Sequence, residues 1–275
     1  MDFESRRQRI LDKMEDNSIA ILYSGIEHHV SADEYDLFTA QANRNFFYLT
    51  GLRRDNMVLV LDKCVEPAKT MLFIEEADPT MERWYGRKVT VEEAEEISGI
   101  DEIEYIYELE STLDRIMTRE DVYTAYFDTY RHQKADLPDY NVVKANEFKT
   151  DYPGVAVKNL FPLVAEERMQ KDKDEIELTK KAIALTKDGL CNVMANLKPG
   201  MKEYQAQADF EYIIRRGGAE WTAFPTIAGS GMNGTMLHYD TNRETMEDGT
   251  LVLLDLGARI DGYNSDITRT YPVNG

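Results

Sequence analysis

LVLLDLGARIDGYNSDITRTYPVNG, residues Leu251 to Gly275, decides how this chain is read. LVLLDLG is a β-rich run, Ile260-Asp261-Gly262 is a turn signal, and YNSDITRTYPV is a second extended run. Together they predict a hairpin that carries Asp255 on one strand and Asp266 on the other. A turn centred between Ile260 and Asp261 makes these two direct cross-strand partners, and a shifted turn leaves them diagonal neighbours. Facing carboxylates repel unless they share a proton, meet basic partners or hold a metal. Arg259 and Arg269 are the candidate basic partners, and a hard divalent cation is the candidate metal. Spacing alone leaves these alternatives open.

Just upstream, GSGMNG at 229–234 matches G-x-G-x-x-G literally. That fingerprint requires a helix opening within it, whereas TMLHYD follows and reads as strand-like. A glycine-rich loop permitting close backbone approach is the better reading. His238 ends the loop and is a candidate substrate contact or oxyanion donor beside the carboxylates. His28, His29 and His132 have no comparable context, and Cys191 on a helix reads as packing.

Further out, the chain reads as α/β in two domains, 1–165 and 166–275. In the first, an amphipathic helix places Phe3, Ile10, Leu11 and Met14 on one face, and SIAILYSG, MVLVLD, KTMLFIEE, YTAYFDT and VAVKNLF read as strands. Ten acidic residues and no Lys or Arg lie between Val91 and Asp114, which predicts the solvated faces of helices. In the second, Ile176, Ile183 and Leu190 recur at sevens with Val193, Met194 and Leu197, predicting a long helix ended by Pro199-Gly200. Another helix, about 201–216, carries Ala206, Phe210, Ile213 and Ile214 and stops at Gly217-Gly218.

The net charge of −19 argues against nucleic acid or an anionic membrane as partner. Two distant cysteines, Cys64 and Cys191, form no disulfide framework, and MDFESRRQRILDKMEDN has no apolar signal core. A cytoplasmic protein is expected.

The run from Ala223 to Gly275, densest from His238 to DITRT, resembles the first half of the catalytic domain of the Xaa-Pro aminopeptidases. These form the aminopeptidase P group of the creatinase/methionine aminopeptidase family, peptidase M24. ANRNFFYLTGLRRDNMVLVLD and RWYGRKVT resemble that group's N-terminal domain, and RMQKDKDEIELTKKAIALT its linking helix. The resemblance implies a creatinase-like α/β domain followed by a pita-bread domain that binds two divalent metals, manganese in most members. Hydroxide held between the metals then cleaves the bond before a penultimate proline. It makes Asp255 a bidentate ligand of one metal, Asp266 the bridging ligand, and His238 a substrate-side histidine that is no ligand. Trp84-Tyr85 reads either as a pair near a substrate mouth, in a neighbouring subunit, or as ordinary packing.

The family's remaining ligands, one His and two Glu, lie beyond the sequence that Asp255 and Asp266 occupy. The expectation is a truncated pita-bread domain, inactive alone and holding metal weakly or not at all. An exposed edge at 263–271 leads to an expected homo-oligomer. The alternatives are an Xaa-Pro dipeptidase or a non-catalytic relative that keeps the scaffold.

Overall fold

The computed structural model describes residues 1–26, 29–31, 34–35, 43–119 and 121–274. His28 therefore lies outside the described residues. The chain divides into two compact units, Met1–Gln170 and Lys171–Gly275. An α-helix over Phe161–Met169 runs through the expected boundary, so the division falls at its end.

In the first unit the strands are β1 (Ser18–Tyr23), β2 (His29–Ser31), β3 (Glu34–Tyr35), β4 (Val58–Asp62), β5 (Lys69–Ile74), β6 (Glu102–Tyr105), β7 (Thr124–Phe127) and β8 (Ala156–Asn159). The helices are α1 (Phe3–Lys13), α2 (Arg44–Thr50), α3 (Pro79–Tyr85), α4 (Val91–Ser98), α5 (Leu109–Met117), α6 (Tyr140–Asp151) and α7 (Phe161–Met169). Six strands form one mixed sheet in the order β6-β5-β4-β1-β7-β8, and β2 pairs with β3 in a separate two-stranded ladder. Strand β1 is buried along its whole length because both faces are covered. Ile19, Ile21 and Tyr23 pack with Leu113 and Ile116 of α5 and Phe148 of α6. Ala20 and Leu22 join Ile10 and Leu11 of α1, Phe46 of α2 and Val164 of α7 on the other side. All five strands expected from the sequence are present.

At its C-terminal end β1 is gripped by a side chain. Asn141 Oδ1 accepts from the Tyr23 N–H at 2.8 Å, and its amide donates to the Tyr23 carbonyl at 3.0 Å. The acidic run falls on α4, β6 and α5 with its carboxylates exposed or half-exposed, as solvated faces should be. Trp84 stands out from α3 with 79% of its surface exposed, which removes ordinary core packing as its role.

The second unit begins with α8 (Lys173–Asn196) and α9 (Glu203–Arg216), followed by β9 (Trp221–Thr222), β10 (Ile227–Ser230), β11 (Leu251–Leu256), β12 (Ala258–Ile260), β13 (Tyr263–Asn264) and β14 (Ile267–Pro272). Asp172 and Glu175 close a capping box at the start of α8. The buried face of α8 is the expected one only at its C-terminal end, at Leu190, Val193 and the half-buried Leu197. Ile176, Ile183 and Met194 are exposed, while Ala182, Thr186, Gly189, Leu190 and Val193 are buried. Close approach selects small residues here: a Cβ on Gly189 would stand 2.6 Å from the Phe210 ring of α9. Strands β10-β11-β14 form one three-stranded sheet and β13-β12-β9 another. Both helices cover one side, where Val252, Leu254 and Leu256 of β11 meet Leu190, Phe210 and Ile214. The alternation along β11 turns Leu251, Leu253 and Asp255 to the other, open face. No helix among the described residues is long and apolar enough to cross a membrane.

Candidate metal centre

The hairpin turn is centred one residue later than expected, between Asp261 and Gly262. Asp261 and Gly262 both take left-handed backbone, with φ of 48° and 80°. That is the requirement of a type I′ turn, which Asp-Gly meets and a β-branched Ile260 does not. The register follows: Ile260 faces Tyr263, Leu256 faces Ile267, and Asp255 faces Thr268. Asp255 and Asp266 are therefore not direct partners. Asp266 lies two residues from the position opposite Asp255, which keeps both on one face as diagonal neighbours.

Two devices hold this arrangement. The Thr268 hydroxyl donates to Asp255 Oδ1 at 2.7 Å, fixing that carboxylate. Ser265, next to Asp266, is turned inward, and its hydroxyl shares a 2.6 Å hydrogen bond with that of Thr186 on α8. The Ala258 N–H donates to both hydroxyl oxygens, at 2.9 and 3.0 Å. With Ser265 inward, Asp266 is exposed. Gly257 makes the strand crossing possible, because a Cβ there would sit 2.0 Å from the Ser265 carbonyl oxygen.

Neither named arginine neutralises the pair. Arg269 lies opposite Leu254, so it belongs to the other face, and it donates to the Thr268 carbonyl at 2.7 Å. Arg259 is buried and donates to Asn264 Oδ1 at 3.0 Å. Among the described residues neither carboxylate has a basic partner, and no third His, Cys, Asp or Glu completes a metal-holding cluster with them.

The glycine loop runs from β10 into a five-residue 3-10 helix, Gly231–Thr235, and TMLHYD continues it as a turn rather than a strand. Gly229 is there for close approach, since a Cβ would stand 2.9 Å from the Asn233 backbone. The loop is anchored by Glu203, which was not singled out in the sequence. Glu203 is fully buried, and its carboxylate accepts from the Ser230 N–H and hydroxyl, the Asn233 amide, the Tyr239 hydroxyl and the Glu244 N–H. Burial opposes its charge, but these donors, led by the Ser230 N–H, outweigh it and hold the carboxyl below its usual range. His238, one residue before Tyr239, is exposed in this turn. It is hydrogen-bonded to neither aspartate among the described residues.

Residues 3–126 match the aminopeptidase P N-terminal domain, and residues 177–275 match metallopeptidase family M24. The second unit thus carries the match to metallopeptidase family M24. The chain is 32% identical over its full length to the Xaa-Pro aminopeptidase of Escherichia coli K12, covering 62% of that relative. It also resembles human Xaa-Pro aminopeptidase 3, at 31% identity over 86% of the chain and 47% of the relative. Among solved structures, 99% of the chain superposes on a Bacillus anthracis protein assigned to aminopeptidase P, with a TM-score of 0.94, 40% identity and 64% of that protein covered. Escherichia coli aminopeptidase P with the inhibitor Pro-Leu gives a TM-score of 0.86 at 31% identity, over 62% of its length. The chain thus spans under two thirds of these relatives. The matched metallopeptidase family implies divalent metal cofactors. Asp255 and Asp266 fit part of such a centre: two hard oxygen donors on one open face, with no competing cation among the described residues.

Proposed function

We propose that this chain supplies the first carboxylates of an Xaa-Pro aminopeptidase centre, with Asp255 and Asp266 holding a pair of divalent metals, manganese by preference. The observation that carries the reading is the pair's placement on the open face of β11 and β14, without a counter-cation, in the segment matching M24. Bound there, the metals supply Lewis-acid polarisation of the scissile carbonyl before a penultimate proline. Thr268 orients Asp255 by its hydrogen bond, and Glu203 fixes the loop from which His238 faces substrate and donates to the developing oxyanion. Two carboxylates are an incomplete ligand set, so the 275 residues alone hold metal weakly and leave Xaa-Pro peptides uncut. The outer edge of β14 supports self-association, and the separated cysteines support a reducing, cytoplasmic setting.

Manganese is paramagnetic and broadens NMR signals near its site. Titration should broaden the Thr268 methyl and His238 imidazole signals at high metal concentration. The paired substitution Asp255→Asn with Asp266→Asn should abolish that broadening. Unchanged broadening in the paired variant refutes the assignment of the ligands, and efficient Xaa-Pro cleavage by the chain alone refutes its incompleteness.

A further inference from the structure

A second site lies in the first unit, far in sequence from the aspartates. A cleft of about 160 Å³ opens at the C-terminal end of β1, between the first turns of α5 and α6. That volume suits a molecule near the size of benzene, and excludes a nucleotide or a folded peptide. Carboxyl ends of strands in open α/β sheets are where such crevices take ligands.

Three features of its lining point to one kind of occupant. Tyr23 is 7% exposed, yet its hydroxyl has no hydrogen-bond partner among the described residues. Its ring is held edge-on by Tyr140, with centroids 5.4 Å apart, so the phenol cannot swing away to find one. The hydroxyl is not among the buried unpaired polar atoms, so it opens on the cleft, where a ligand can meet it. Burial, then the nearby Glu110, pushes the Tyr23 phenol above its usual range, so it stays a protonated donor. Glu110 and Lys144 line the same cleft with opposite charges but form no ion pair with each other. Lys144 Nζ instead bonds Glu147 Oε2 at 2.8 Å, which leaves further N–H donors on the ammonium. Met57, Val58 and Leu109 make up apolar wall.

We propose that this cleft binds a free α-amino acid with a small apolar side chain, its ammonium on Glu110, its carboxylate on Lys144 and the Tyr23 hydroxyl, and its side chain against Met57, Val58 and Leu109. Opposite charges held apart across an apolar cleft suit a zwitterion that bridges both, and the Tyr23 hydroxyl, open to the cleft, adds one further donor. The residue released by an Xaa-Pro aminopeptidase is such a zwitterion. Only that link to product sensing rests on the proposed function; the site itself does not.

The test is isothermal titration of the 275-residue chain with L-valine, with isobutylamine, which lacks the carboxylate, and with isovalerate, which lacks the ammonium. Valine should bind saturably and shift the Met57 methyl and Tyr140 ring signals. Each analogue should bind roughly tenfold more weakly or worse, as should valine to Glu110→Gln or Tyr23→Phe. Tyr23→Phe keeps the ring contact with Tyr140 and breaks no hydrogen bond among the described residues, so its ligand-free melting temperature should not fall. No saturable valine binding, equal binding of isobutylamine, or valine affinity unchanged in both variants overturns the proposal. None of these outcomes bears on manganese at Asp255 and Asp266.

Discussion

Substituting Gly257 by alanine tests the architecture under the metal centre most directly. The new Cβ would stand 2.0 Å from the Ser265 carbonyl oxygen, 2.9 Å from its carbon and 3.0 Å from the Ala223 Cβ. An unstrained C···O approach is about 3.3 Å, so one strand must move by about 1.3 Å. Ser265 is poorly placed to yield. Its N–H donates to the Ala258 carbonyl at 3.0 Å, and its hydroxyl is bonded to Thr186 on α8. The clash is with backbone rather than a flexible side chain, which places the cost near the top of the overpacking range, about 3 kcal/mol. For a unit of this size that lowers the melting temperature on the order of 10 °C. Asp255 and Asp266 flank the displaced crossing, and a misplacement of about 1 Å disrupts shared ligation as well as stability. Calorimetry reads the first effect in the transition of the second unit, and the manganese-broadening titration reads the second. A Gly257→Ala chain that melts within about 1 °C of the parent and keeps the same broadening refutes the close-approach reasoning.

Glu203→Gln removes the charge at the centre of five donors and should cost about 3 kcal/mol at neutral pH. Because the carboxyl is held below its ordinary 4.5, its contribution is complete above that value and fades as pH falls through the folded pKa. The variant should therefore lose part of the acid-side slope in its urea midpoints, and an identical slope in both proteins counts against the anchor. Asp266→Asn should raise the melting temperature in metal-free buffer, since it relieves like-charge repulsion with Asp255, and should abolish the stabilisation that manganese gives. A lower metal-free melting temperature would show that Asp266 serves packing instead.

Much of this fold is legible in the sequence where burial is two-sided. SIAILY at 18–23 becomes a strand with six buried residues in succession, as a central sheet strand requires. Ahead of Leu190, the buried face of α8 is not legible by hydrophobicity, because Ala182, Thr186 and Gly189 are chosen for closeness rather than for apolar bulk. Ile176 and Ile183, the stronger periodic signal, lie outside that contact. The hairpin register is a different failure. Asp261-Gly262 carries the type I′ signal openly, and centring the turn on that dipeptide yields Thr268 opposite Asp255. Glu203 is out of reach of such reasoning, since its five donors come from positions 230 to 244 and only the folded loop collects them.

Ser265 and Asp266 are adjacent in the chain and turned opposite ways, one bonded to α8 and the other facing outward. The position of the outward carboxylate is thus inherited from a 24-residue rod, about 36 Å long, rather than from the loop beside it. A rod moves as a whole, so a disturbance anywhere along α8 that rotates or slides it is delivered to Asp266 undiminished. Tolerance to substitution around this carboxylate is then governed by residues several turns away, whose only common property is that they keep the rod straight and seated.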